Sequence, residues 1–84
     1  MADHSHQFVE TYKGLVGFGF DRETDEKTVM WYLQKFSDDA FMEKLIPRMT
    51  DKDLEDIFML LNRVLKQHMA EAEYHQLFLK DDHH

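Results

Sequence analysis

Residues 50–80 read TDKDLEDIFMLLNRVLKQHMAEAEYHQLFLK, a run of 31 residues with no Gly and no Pro. Leu54, Ile57, Phe58, Leu61, Val64, Leu65, Met69 and Ala72 recur at steps of three and four, which lays one apolar stripe along an α-helix. Thr50 is placed to cap the first turn, and Asp53 sits where a short acid reaches back toward the cap. Asp51, Asp53, Glu55 and Asp56 put negative charge at the positive end of the helix dipole. The pattern predicts one helix from Thr50 to about Leu79. At 1.5 Å per residue it would be ~45 Å long, while a compact chain of 84 residues has a radius of gyration near ~12 Å. The excess length implies that part of the helix projects or packs against another chain.

Three shorter helices are expected upstream. Residues 5–12 form a short one carrying Phe8, Val9 and Tyr12, with Gly14 or Gly17 as its stop. Residues 24–36 form the second, capped by Asp21 or Thr24, with Val29, Leu33 and Phe36 as its stripe. Residues 38–46 form the third behind a Ser37 cap, burying Phe41, Met42, Leu45 and Ile46. Pro47 ends it and should push Ile46 out of the α region. Between the first two, Val16, Phe18 and Phe20 alternate with glycines. No second strand is present to pair with them, so the segment is expected to be a loop dropping Phe18 and Phe20 into the core. The expected fold is all-α, a small helical bundle of three shorter helices packed on one long C-terminal helix. Residues 1–84 are expected to form a single domain, with residues 1–7 and 81–84 as flexible tails.

Composition narrows the function. The chain lacks cysteine, which excludes disulfide scaffolds, thiolate zinc sites and Cys nucleophiles. Net charge is −7, divided as −1 over residues 1–20, −2 over 21–49 and −4 over 50–84. No segment is basic, which argues against nucleic acid and anionic membrane as partners. Neither a signal peptide nor an apolar span is evident, so a soluble cytoplasmic protein is expected. The only serines, Ser5 and Ser37, lie in a tail and at a cap, and the acid pairs sit at exposed helix starts. The sequence therefore predicts no enzyme activity and no cofactor.

Several motifs fall short of a site. Gly14, Gly17 and Gly19 lack phosphate-loop spacing. Asp21, Glu23 and Asp25 resemble the start of a calcium loop, but Glu26 stands where Gly is needed and Tyr32 where a bidentate Glu is needed. Asp51, Asp53 and Glu55 fail in the same way, at Asp56 and Asn62. Loss of Met1 would expose Ala2-Asp3-His4, a nitrogen set suited to Cu(II) or Ni(II), although one His at one position is a slight requirement. Met30, Met42, Met49 and Met69 are best read as core filler. His83 and His84 carry no functional argument.

Two candidate surfaces remain. Met59, Leu60, Tyr74, Leu77 and Phe78 fall outside the main stripe of the predicted long helix. Apolar area gathered in one patch marks an interaction surface, and a homodimer joined through this helix is the favoured reading, with another protein partner as an option. The expected role is a non-enzymatic interaction or regulatory module. The alternative is a metal-responsive protein. His68, Glu71 and His75 would line one edge of an unbroken helix, and a second copy would supply the remaining ligands. The same edge would serve as a pH switch if protonation of the two histidines near pH ~6 disfavoured a helix contact. Against both stands an ordinary i,i+4 pairing of Glu71 with a half-buried His75.

Overall fold

The computed structural model describes residues 5–81. The Ala2-Asp3-His4 motif, the terminal histidines and most of the two expected tails lie outside the described residues. The fold is all-α, and no strand occurs among the described residues. The chain divides into two compact units, residues 5–48 and 49–81.

The first unit holds α1 (Phe8–Thr11), α2 (Arg22–Phe36), α3 (Asp39–Leu45) and a 3₁₀ turn (Ile46–Arg48). α1 is shorter than predicted, and no glycine stops it. Tyr12 turns extended at φ −70°, ψ 125°, and its hydroxyl donates to the Leu15 carbonyl at 2.9 Å. Gly14 lies under the Tyr12 ring, where a Cβ would collide with it. Asp21 caps α2 by accepting the Thr24 N–H at 2.8 Å. Asp38, not Ser37, caps α3 by accepting the Phe41 N–H at 3.0 Å. The Ser37 hydroxyl instead closes the end of α2 by donating to the Gln34 carbonyl at 2.8 Å. Ile46 keeps the α conformation at φ −58°, ψ −46°, contrary to the expectation from Pro47. The proline falls in the first turn of the 3₁₀ segment, where its missing N–H costs no helical bond. Phe36 and Phe41 meet edge to face at 5.4 Å and join α2 to α3.

Four hydrogen bonds clip the chain before α2 onto α2 itself. The Val9 N–H donates to Gln34 Oε1 at 2.9 Å. The Gly17 N–H donates to Thr28 Oγ1 at 3.0 Å, and the Thr28 hydroxyl donates back to the Gly17 carbonyl at 2.9 Å. The Gly19 N–H donates to Asp25 Oδ1 at 2.8 Å. Segment and helix therefore run antiparallel, with backbone groups on one side and side chains on the other. Gly19 sits at φ 100°, a conformation that glycine adopts without strain. Phe18 and Phe20 do not enter a core; they are 71% and 67% exposed. Polar bonds to the neighbouring glycines fix the backbone here, so the rings are not needed as anchors.

The second unit corrects the long helix. α4 runs Asp51–His68, and the chain then breaks. Met69 (φ −122°, ψ 131°) and Ala70 (φ −71°, ψ 158°) are both extended. A shorter helix follows: α5 (Glu71–Glu73) passes directly into a π-helical segment (Tyr74–Leu79). The break is stabilised locally, because Glu73 Oε1 accepts the Ala70 N–H at 2.9 Å and so starts a new helix. The N-terminal capping box of α4 forms as predicted. Thr50 Oγ1 accepts the Asp53 N–H at 3.1 Å, and Asp53 Oδ2 accepts the Thr50 N–H at 3.2 Å. Lys80, left-handed at φ 59°, ends this helical segment, and the Asp81 N–H returns to the His75 carbonyl at 3.2 Å.

No apolar residue among the described residues is fully buried; the one buried side chain is that of Thr28, 3% exposed. The stripes expected to form a core are therefore uncovered. On α2, Val29, Leu33 and Phe36 are exposed, and on α4 so are Leu54, Ile57, Phe58, Leu61 and Val64. Leu65 and Met69 are half-buried. No helix among the described residues is long and apolar enough to cross a membrane.

Candidate functional site

α4 offers the most extensive site. Its sequence alternates apolar and charged residues with helical period, and its first turn is fixed by the Thr50–Asp53 box. The stripe residues Leu54, Ile57, Phe58, Leu61 and Val64 are between 41% and 65% exposed. Apolar area concentrated on one face of a helix is costly in water and marks a contact surface. Charge is graded along the same helix. Asp51 and Asp53 occupy the first turn, while Lys66 and His68 occupy the last. Within the helix, Lys52 pairs with Asp56 at 3.1 Å, and Arg63 donates to Gln67 Oε1 at 3.1 Å.

The break at residues 69–70 rearranges both surfaces drawn from the sequence. Met59 and Leu60 lie on α4 and are exposed, while Leu77 and Phe78, also exposed, lie beyond the break. Tyr74 is half-buried and stacks on Phe78, with ring centroids 5.3 Å apart. The five residues thus form two groups, Met59 with Leu60 and Tyr74 with Leu77 and Phe78. Helical phase does not carry from one group to the other.

The histidine edge divides at the same place. His68 is the last residue of α4, whereas Glu71 and His75 lie past the break. His75 Nε2 lies 3.9 Å from Glu71 Oε2, and His75 Nδ1 lies 3.1 Å from Asp81 Oδ2. The nearer partner of His75 is therefore Asp81, a residue expected from the sequence to lie in the flexible tail. The left-handed Lys80 turns the chain back and brings this carboxylate to the ring. No group of three His or acidic side chains with metal-binding geometry occurs among the described residues.

Residues 5–48 hold a cleft of about 760 Å³ whose lining includes Val9, Trp31, Tyr32, Phe36 and Phe41. Lys35 Nζ lies 5.1 Å from the Trp31 ring centroid, a cation–π distance. Sequence reading missed this cleft because Val9 reaches it only through the Gln34 clip. A smaller hollow of about 420 Å³ sits at the α4–α5 break, lined by residues such as Leu65, Met69 and Tyr74.

Comparison with family models, with curated proteins and with solved structures gives no match to this chain.

Proposed function

We propose that the protein is a non-enzymatic, cytoplasmic protein–protein interaction module that self-associates through its C-terminal helices, with α4 as the principal contact. One observation carries this reading: α4 bears an apolar stripe of which Leu54, Ile57, Phe58, Leu61 and Val64 are exposed. Fully burying a Leu or Phe side chain contributes roughly 1.5–3 kcal/mol. Several such residues from each of two copies offset an association cost of about 4–15 kcal/mol. No apolar side chain among the described residues is fully buried, and association is one way for a small domain to cover such area. In this reading the stripe forms the dry centre of the contact. The acidic and basic residues of α4 form its rim, and Met59, Leu60, Leu77 and Phe78 widen it.

The test is native mass spectrometry of the wild type beside a Phe58→Glu plus Leu61→Glu variant. The wild type should be dimeric and the variant a monomer of unchanged helical content by circular dichroism. A monomeric wild type, or a variant that stays dimeric, overturns the assignment to α4.

A further inference from the structure

We propose that two copies of α4 pair antiparallel, about a two-fold axis passing between Met59 and Leu60. This rests on the self-association reading and adds its geometry. Asp51, Leu54, Phe58, Leu61, Leu65 and His68 follow one another at steps of 3, 4, 3, 4 and 3, the spacing of a helix–helix seam. All six lie within the unbroken helix Asp51–His68. The series is its own reverse. Turned about the midpoint of α4, Asp51 falls opposite His68 of the second copy, Leu54 opposite Leu65, and Phe58 opposite Leu61.

Three physical terms favour this direction over a parallel pair. The first is charge: residues 51–59 carry −3 and residues 60–68 carry +2 with His68 neutral. Antiparallel pairing sets the acidic half of one helix along the basic half of the other, whereas parallel pairing sets −3 against −3. The second is seam chemistry. A parallel pair would face Asp51 with Asp51 at a seam position, while an antiparallel pair gives each Asp51 a His68 as hydrogen-bond partner. The third is shape. Each large Phe58 meets the smaller Leu61 instead of a second Phe58, so every layer of the seam fills to similar volume. Flanking the seam, Ile57 meets Val64 of the other copy on one side, and Glu55 meets Asn62 on the other.

The sequence lacks cysteine, so introduced thiols report pairing directly. The experiment mixes full-length Leu54→Cys with full-length Leu65→Cys, oxidises in air, and weighs the products by mass spectrometry. Each variant is also oxidised alone. A mixed disulfide dimer, with little self-linked product from either variant alone, is the expected result. A second pair, Asp51→Cys with His68→Cys, leaves every apolar seam residue in place and should behave the same. Self-linking of Leu54→Cys alone would mean parallel helices and overturn the geometry, leaving self-association intact. A wild-type dimer with no cross-link in either pair would move the contact off this seam. A monomeric wild type would remove both proposals.

Discussion

Thr28 is the residue on which the first unit turns. Its hydroxyl both accepts from and donates to Gly17, at 3.0 and 2.9 Å, and it is the one buried side chain described. Thr28→Val keeps the shape of the side chain but strands the Gly17 N–H and C=O. That should cost roughly 1–3 kcal/mol, seen as a lower urea midpoint, while Thr28→Ser should stay close to wild type. The sequence does not disclose this role. A threonine within a helical pattern looks like a neutral choice, and its partner lies eleven residues away in a glycine-rich loop. Asp25 and Gln34 were equally hidden, because each resembles an ordinary solvated helix residue.

The clearest lesson among the elements lies at the α4–α5 break. Met69 and Ala70 are good helix formers, so periodicity alone carried the helix through them. The competing signal was short and local: Glu73 stands three residues after Ala70 and takes its N–H. The Thr50–Asp53 box was legible, since both partners carry side-chain oxygens. The second start was obscured because alanine supplies no capping oxygen of its own. Replacing Ala70 by Ser would add one. Ala70→Ser should stabilise the protein by about 1 kcal/mol as a new N-cap. In a continuous helix the same change would be neutral or unfavourable by a few tenths of a kcal/mol, roughly the propensity difference. Thermal unfolding of the two proteins side by side separates these cases.

Across the whole molecule, the helical class was readable because capping acids, apolar steps and Pro47 each mark a boundary. The packing was not. Stripe positions on α2 and α4 have the spacing of core residues, yet Val29, Leu33, Phe58 and Leu61 are exposed. Spacing specifies a face; it does not specify what covers that face. If a second copy covers it, folding and association are linked. The melting temperature of the wild type should then rise with protein concentration, and that of Phe58→Glu plus Leu61→Glu should not. Differential scanning fluorimetry across a dilution series measures this directly.

The clip between the two strands of chain in the first unit also divides the burden of mutation unequally. Val9, Gly17 and Gly19 contribute backbone atoms, which any residue except proline possesses, whereas Asp25, Thr28 and Gln34 contribute side-chain atoms. A saturation library would accordingly tolerate broad replacement at Val9 but very few alternatives at its partner Gln34. Fold information for residues 9–19 is thus stored largely in α2, in a part of the gene that encodes a different element.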